Sequence, residues 1–291
     1  MGKVYDALII GKGPAGSTCA MYLARAGKST LVVAKDGGAL EKAGAIDNYY
    51  ALPGLNGSQL LERGVAQAQS FGAEYVNDEA VGVTFDGTFT VKCLKETYRA
   101  RTVVLCCGAK REKLTAKNAG RFDGAGVSWC VTCDGFIYRN KRVGLVGGGD
   151  YMLAELDELR AFTDKITVFT QSSDVEVAGA QTVRENITSL EGDEKLRYVE
   201  AGGKKYELDG LFIAIGTAGG ADFARTLGVF TDSTNVTAKD GVTNMPGFFA
   251  AGDCTAGIKQ VVKAASDGAV AAAQVLRYLR EKASEEKDEA R

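Results

Sequence analysis

Apolar residues in the first part of the chain form short continuous runs, and glycines follow the first of them. Residues 4–10 are such a run, and runs of this length are typical of strands buried on both faces of a parallel sheet. Residues 17–26 then repeat apolar positions with a helical period, and residues 30–34 form a second run. The pattern predicts a strand–helix–strand unit whose glycine-rich turn joins its first strand to its helix.

The same pattern returns in the middle of the chain. Around the glycines at 147–149 it predicts a strand, a helix and a strand, at 142–146, 152–162 and 166–169. Further apolar runs predict two strands that end in glycine, a late strand with an acidic tip and a long final helix. These are 103–108, 211–216, 244–253 and 260–279.

Insertion of the second unit into the first is the simplest organisation of these elements. The sequence therefore predicts an α/β protein with two Rossmann-like dinucleotide-binding domains. The first domain comprises residues 1–110 and 240–291, and residues 111–239 form the inserted domain.

Composition narrows the classes of function. The net charge is −2, which predicts no nucleic-acid partner, and no apolar run approaches the about 20 residues that a membrane helix needs. Seven cysteines, an odd number in a chain that can bury a full core, are a poor disulfide framework, so we expect a cytoplasmic protein. The chain has no histidine, which excludes Ser-His-Asp and Cys-His catalysis.

The segment Cys130-Val-Thr-Cys133-Asp134 carries the most specific chemistry. Two thiols separated by two residues can close a disulfide and reopen it, and this spacing can lower the pKa of the first thiol. The carboxyl of Asp134 can give a proton to a leaving thiol and take it back. Half of a zinc site is the alternative for the cysteines, but it needs further cysteine or histidine ligands. We therefore predict a redox-active dithiol and no metal site.

The dinucleotide-binding fingerprints of the two units differ in quality. Gly11-Lys-Gly13-Pro-Ala-Gly16 is complete: its glycines allow a tight turn, close approach of pyrophosphate and close helix packing. In Gly147-Gly-Gly149-Asp-Tyr-Met152 a methionine takes the last position, where it should push the helix outward or block pyrophosphate. No lysine or arginine lies between Lys165 and Arg184, so nothing is placed to hold an NADP 2′-phosphate. The second unit is predicted to be a structural relic without nucleotide.

Together, these motifs resemble the low-molecular-weight thioredoxin reductase family along nearly the whole chain. The Cys-x-x-Cys-Asp-Gly segment, in its place after the first domain, is the most specific of them. The others are Gly11-x-Gly13-x-x-Gly16, Gly37-Gly38-Ala39-Leu40, Asp47-Asn48, Trp129 and Phe136 around the cysteines, Gly147-Gly148-Gly149-Asp150, and Ala251-Gly252-Asp253 with Gln260.

The resemblance implies a homodimer with FAD in the first domain, and a flavin that reduces the Cys130–Cys133 pair, which then reduces thioredoxin. By position, Cys133 would face the flavin, Cys130 would attack the partner disulfide and Asp134 would move the proton. Gly252 and Asp253 would hold the ribityl chain and pyrophosphate. The whole set implied to bind FAD is Gly11, Gly13, Pro14, Ala15, Gly16, Lys35, Asp36, Ala39, Leu40, Asn48, Gly108, Gly252, Asp253, Lys259, Gln260 and Val261.

The chain departs from the family in the residues that would bind the electron donor. Members that use NADPH carry a basic motif after the second strand of the second strand–helix–strand unit, whereas this chain has Thr170-Gln-Ser-Ser173 there. The pattern resembles the pyridine-nucleotide-independent branch, in which reduced ferredoxin supplies electrons. NADPH- or NADH-dependent reduction is the alternative, with Asp174 and Glu176 as an acidic pair for an NADH ribose. A flavin-binding redox sensor without turnover is the alternative from another class.

Overall fold

The computed structural model describes residues 3–41, 43, 45–108, 114–128, 131–175, 177–215, 220–231 and 235–289. Within them, the helices are α1 (Pro14–Arg25), α2 (Gly38–Glu41), α3 (Gly57–Ser70), α4 (Val131–Asp134), α5 (Asp150–Leu159), α6 (Gly220–Thr226) and α7 (Val261–Glu289). The strands are β1 (Val4–Ile10), β2 (Thr30–Val33), β3 (Ala45–Ile46), β4 (Leu55–Asn56), β5 (Glu74–Val76), β6 (Ala80–Phe85), β7 (Phe89–Cys93), β8 (Thr97–Leu105), β9 (Val127–Ser128), β10 (Val143–Val146), β11 (Ile166–Phe169), β12 (Gln181–Val183), β13 (Ile187–Gly192), β14 (Leu196–Ala201), β15 (Lys204–Glu207), β16 (Gly210–Ile213) and β17 (Phe248–Ala250).

The chain divides into two compact units, residues 1–110 with 219–291, and residues 111–218. The first unit includes α6, which packs against β6, and bridges that link Val236 to Thr231 and to Thr255. Residues 219–239, which the sequence analysis assigned to the inserted domain, therefore belong to the first unit. The predicted boundary at 239 is too late because these long-range contacts leave no trace in the local pattern.

The sheet of the first unit has the order β5-β2-β1-β8-β7-β6, and β17 pairs with β8. Strands β5, β2, β1, β8 and β17 run parallel, whereas β6, β7 and the first half of β8 pair antiparallel. Strand β1 has the predicted bounds, and its residues Ala7, Leu8 and Ile9 are fully buried. Strand β17 is shorter than the predicted strand over 244–253 because turns form on both sides of it.

Helices α1 and α7 pack together on one face of this sheet. Their contact is unusually close, because an ideal Cβ on Gly268 would lie 2.2 Å from the carbonyl oxygen of Ala15. Leu23 of α1 and Val275 of α7 are fully buried in the same core. The last helix of the chain is therefore part of the support of the first glycine turn.

The second unit contains a parallel sheet of order β12-β11-β10-β16-β9 and a smaller antiparallel sheet, β13-β14-β15. Strands β10 and β11 are buried along their whole length, and β11 has the predicted bounds. A parallel sheet with a glycine turn and a following helix in each unit confirms the predicted α/β class with two Rossmann-like units. Among the helices that the structure describes, none combines the length and the apolar character needed to span a membrane.

Candidate functional site

The turn between β1 and α1 brings backbone groups, rather than side chains, to the edge of the first sheet. Gly11 has a φ of +107°, and an ideal Cβ there would lie 2.3 Å from the carbonyl oxygen of Cys106. On Gly16, a Cβ would lie 1.9 Å from the carbonyl oxygen of Gly11. Gly13 caps α1 without a side-chain hydrogen bond, and Pro14 begins the helix. The N-terminus of α1 therefore offers its backbone N–H groups to an anion.

The end of β2 carries a lysine that is paired with a buried acid. Lys35 Nζ donates to Glu79 Oε2 at 2.7 Å. Glu79 is buried, and its Oε1 has no hydrogen-bond partner. The acid that accompanies this strand end thus comes from the segment before β6. Sequence reasoning missed Glu79 because it lies outside the glycine fingerprint.

The predicted residues that follow Lys35 lie just before α2 and within it. Asp36 Oδ1 accepts the N–H of Gly38 at 2.8 Å, so one oxygen of this carboxylate stabilises its own turn. Ala39 and Leu40 lie in the helix itself.

A short 3₁₀ turn, Gly252–Cys254, lies against the start of α1. Gly252 has a φ of +81°, and an ideal Cβ there would lie 2.8 Å from the Cβ of Ala15. The N–H of Gly252 donates to Asp267 Oδ2 at 3.0 Å. One carboxylate oxygen of Asp253, Oδ1, is buried without a hydrogen-bond partner, and burial raises the pKa of this carboxyl. A ligand hydroxyl would satisfy that orphaned acceptor.

Two lysines surround this turn with positive charge. Lys259 Nζ donates to the carbonyl oxygens of Asp253 and Thr255, each at 2.7 Å. Lys263 Nζ donates to the carbonyl oxygen of Gly252 at 3.0 Å and pairs with Asp267 at 2.7 Å. Lys259 was predicted, but Lys263 and Asp267 were missed. Their opposite charges four residues apart on a helix were the available signal.

The remaining predicted cofactor residues lie in the same unit. Asn48 Nδ2 donates to Gln260 Oε1 at 2.9 Å. Gly108 follows β8 with a φ of +73°, and Val261 begins α7. A pyrophosphate suits the glycines without room for a Cβ and the helix N-terminus without a side-chain cap. A hydroxylated chain attached to it suits the orphaned acceptor of Asp253. The residues present therefore fit FAD.

In the second unit, the turn after β11 packs against the glycine loop. An ideal Cβ on Gly148 would lie 2.5 Å from Ser173 Cβ, and Ser173 Oγ donates to the carbonyl oxygen of Gly148 at 2.9 Å. Gln171 and Ser172 adopt left-handed φ values of 53° and 64°, and Thr170 Oγ1 donates to the carbonyl oxygen of Ser173 at 3.0 Å. Ser173 thus takes a place beside the loop that a pyrophosphate would approach.

Of the two effects expected of Met152, the structure shows only one, the outward displacement of the helix. Its side chain is fully buried, so the expectation that it blocks pyrophosphate is wrong, because it points into the core. An ideal Cβ on Gly147 would lie 2.8 Å from the Met152 Cβ. Since Met152 has a Cβ where Gly16 has none, α5 cannot approach its loop as closely as α1 does.

Arg184 lies closer to the end of β11 than its distance in sequence suggested. Its carbonyl oxygen accepts the N–H of Ser172 at 2.7 Å, and its guanidinium lies 3.8 Å from the carboxylate of Asp174. The expectation that no cation is placed near this strand end is therefore wrong, because β12 pairs with β11 and returns the chain there. Glu176, the other acid of the predicted pair, lies outside the described residues.

The dithiol segment contains the short helix α4, which includes Cys133. Cys130 and the side chain of Cys133 lie outside the described residues. Asp134 is half-buried, and its Oδ2 accepts a hydrogen bond from Ser128 Oγ at 2.6 Å. Burial, and then the nearby charge of Asp134, raise the pKa of Tyr138.

Two apolar side chains that face solvent begin three residues after Cys133. Phe136 is 61% exposed and Ile137 is 48% exposed. Exposed apolar side chains that adjoin a reactive group are typical of protein-contact surfaces. At the other end of α4, the Val131 N–H donates to Glu155 Oε2 at 3.0 Å, and Glu155 is a residue that sequence reasoning did not single out.

Comparison with known proteins places this chemistry in a family. Residues 5–268 match the family model of the pyridine nucleotide-disulphide oxidoreductases. The thioredoxin reductase of Listeria monocytogenes serovar 1/2a is 32% identical over 303 residues, which cover 96% of this chain and 95% of that protein. The thioredoxin reductase of Aquifex aeolicus is 33% identical over 306 residues, with 95% and 94% coverage.

Two solved structures extend the comparison. The atypical thioredoxin reductase TRi from Desulfovibrio vulgaris Hildenborough has 37% sequence identity and a TM-score of 0.89, covering 94% of this chain and 98% of its own. A ferredoxin-flavin thioredoxin reductase from Clostridium acetobutylicum has 28% identity and a TM-score of 0.73, with 95% and 98% coverage.

The chain belongs to the pyridine nucleotide-disulphide oxidoreductase family. Within that family it is a flavin disulfide oxidoreductase of the thioredoxin reductase type. FAD, predicted from the first fingerprint and from the resemblance, is confirmed as its cofactor by this membership.

Proposed function

We propose that this enzyme passes electrons from FAD through Cys130 and Cys133 to the disulfide of a thioredoxin, and that reduced ferredoxin reduces the flavin. The observation that carries the choice of donor is the turn at 170–173, which is packed on the second glycine loop through the Ser173–Gly148 hydrogen bond. A hydride donor needs a pyrophosphate site for its nucleotide, whereas a one-electron donor does not. The similarity to the ferredoxin-flavin thioredoxin reductase of Clostridium acetobutylicum supports the same choice.

The chain's own residues would carry out two exchange steps. Bound FAD would supply the two electrons that, with two protons, open the Cys130–Cys133 disulfide. The Cys130 thiolate attacks the partner disulfide, forms a mixed disulfide and releases one partner thiol. Cys133 then attacks the Cys130 sulfur, releases the second partner thiol and restores the disulfide. Asp134, oriented by Ser128, protonates the leaving thiolate and recovers a proton from the Cys133 thiol.

A protein partner is supported by the exposed Phe136 and Ile137, which follow the dithiol. The proposal also includes the homodimer that the resemblance implies and the cytoplasmic location expected from the cysteine content. Sedimentation equilibrium of the FAD-loaded protein measures the first, and a monomer at micromolar concentration would contradict it.

NADPH-dependent reduction is the second candidate, and one observation favours it. The guanidinium of Arg184 lies 3.8 Å from Asp174, in the segment that follows β11, and is largely exposed. A 2′-phosphate there would gain a charge-assisted hydrogen bond of about 1.5–3 kcal/mol. We favour ferredoxin because a cation for the 2′-phosphate does not restore the pyrophosphate site beside Gly148.

Anaerobic stopped-flow mixing tests the donor. Oxidised protein is mixed with NADPH, NADH or reduced ferredoxin while flavin absorbance is followed. We expect rapid bleaching with ferredoxin and negligible bleaching with millimolar NADPH or NADH. Bleaching by NADPH on the timescale of thioredoxin turnover, lost in Arg184→Ala, would establish the second candidate instead.

Cysteine variants test the dithiol and separate the enzyme from a redox sensor without turnover. Cys130→Ser should abolish thioredoxin reduction and retain FAD. Cys133→Ser should also abolish it, and should accumulate a mixed disulfide through Cys130. Substantial turnover in either variant would refute these roles, and failure of the unaltered enzyme to turn over with any donor would favour the sensor.

A further inference from the structure

Glu155 stands on the buried side of α5, where the helical pattern places apolar residues. It is 7% exposed, and Met152, Leu156 and Leu159 of the same helix are also buried. A carboxyl group in such surroundings is costly unless hydrogen bonds satisfy it. Its position therefore points to a polar contact that an apolar residue could not make.

That contact is with the first residue of the dithiol helix. Glu155 Oε2 accepts the Val131 N–H at 3.0 Å, and Val131 follows Cys130 directly in the chain. Helix α4 has only four residues, so its first N–H groups have no acceptors within the helix, and a helix of that length is unstable alone. Glu155 supplies the missing acceptor from a neighbouring helix.

The other end of the same turn is also held by a side chain, through the 2.6 Å hydrogen bond from Ser128 to Asp134. The sequence positions of Cys130 and Cys133 fall between or directly beside these two attachment points. A disulfide between them requires a narrow range of backbone geometry. The two carboxyl groups therefore restrict the turn on which that geometry depends.

We propose that Glu155 is a positioning residue for the dithiol. By holding Val131, it raises the effective concentration of the Cys130 and Cys133 thiols toward each other, and so stabilises their disulfide. This inference rests on the dithiol chemistry of the proposed function. The relevant equilibrium converts the protein dithiol and one glutathione disulfide into the protein disulfide and two glutathione thiols, so that two electrons and two protons pass to glutathione.

Two substitutions separate the position of the carboxyl from its charge. Glu155→Asp keeps the charge but withdraws the carboxyl from Val131 by one methylene group. Glu155→Gln keeps the length and an oxygen acceptor but removes the charge. Asp157→Asn is the matched control, because Asp157 lies on the same helix with a side chain that is 74% exposed.

The FAD-loaded proteins are equilibrated anaerobically in glutathione buffers, and alkylated Cys130 and Cys133 are quantified by mass spectrometry. We expect Glu155→Asp to lower the equilibrium constant for disulfide formation at least tenfold, which corresponds to about 30 mV. Glu155→Gln and Asp157→Asn should stay within twofold of the unaltered protein. No change in Glu155→Asp, or an equal loss in Glu155→Gln, would overturn the proposal.

A second measurement needs no variant. Hydrogen exchange at the Val131 amide of the unaltered, FAD-loaded protein should be slow if Glu155 holds it, and exchange at the rate of an exposed amide would also overturn the proposal. Both tests are independent of the proposed function as a whole. If thioredoxin is not reduced but the glutathione equilibrium responds as expected, only the function fails.

Discussion

Gly268 lies outside the glycine turn, yet one methyl group added there should disturb the FAD site. An ideal Cβ there would lie 2.2 Å from the carbonyl oxygen of Ala15, 2.9 Å from its carbonyl carbon and 3.0 Å from its Cα. All three atoms are backbone, so no side-chain rotation relieves the contact. In Gly268→Ala either α7 or the start of α1 must move, and the start of α1 belongs to the glycine turn.

Two opposing terms set the change in the free energy of unfolding that Gly268→Ala causes. Alanine favours a helix interior over glycine by about 1 kcal/mol, whereas overpacking costs about 1–3 kcal/mol. Because the obstacle is backbone, we take the upper part of that range and expect a net loss of about 1–2 kcal/mol in the free energy of unfolding. Displacement of Ala15 should also weaken FAD binding at least tenfold.

Gly64→Ala is the matched control. Gly64 lies within α3, and an ideal Cβ there would lie 3.8 Å from Ser17 Cβ, an ordinary contact. Only the propensity term applies, so this variant should gain up to about 1 kcal/mol and keep its FAD affinity.

Urea unfolding of the apoproteins measures the first quantity, and flavin fluorescence during FAD titration measures the second. If Gly268→Ala and Gly64→Ala gave the same stability and the same FAD affinity, the close packing of α7 on the glycine turn would play no part in either, and the reasoning would be refuted.

Three further outcomes follow from the site. Burial raises the pKa of Asp253, so its contribution to stability is present below the unfolded-state pKa of about 3.9 and is lost as the pH rises through the folded value. Asp253→Asn should therefore make the apoprotein more stable at neutral pH but not in acid, and should weaken FAD binding; the same stability difference at both pH values in urea unfolding would contradict this. Asp134→Asn should slow thioredoxin reduction about 10²-fold or more with FAD still bound, and a change within twofold would remove Asp134 from the mechanism. Lys35→Met should destabilise the protein more than Glu79→Gln, because it leaves a buried carboxylate without its cation; thermal unfolding that ranks them in the opposite order would disprove the pairing.

Elements defined by local pattern could be predicted well from the sequence. Strands β1 and β11 have the predicted bounds because a buried parallel strand is apolar along its whole length. The glycine turns were equally visible, since a missing side chain is a local property. The residues that the family resemblance implied for FAD all lie in the first unit.

Features that depend on contacts between residues far apart in the sequence could not be predicted from local pattern. Arg184 reaches the end of β11 only through the pairing of β12, and the unit boundary at 218/219 depends on contacts of α6 and Val236. Glu155 lies in a stretch that already contains other acids, so nothing in its spacing distinguishes the buried carboxyl from solvent-exposed ones. Glu79 was missed because a lysine partner 44 positions away leaves no local pattern.

The pairing of β8 with β17 has a consequence for the synthesis of this protein on the ribosome. The glycine turn at 11–16 is made first, but β17, the Gly252 turn and α7 are made only after the whole second unit. Until then the second half of β8 exposes the unpaired backbone groups that β17 later covers. The proposed FAD site is complete only on a nearly finished chain, and a chain interrupted in the second unit would carry the glycine turn without the Gly252 turn and α7.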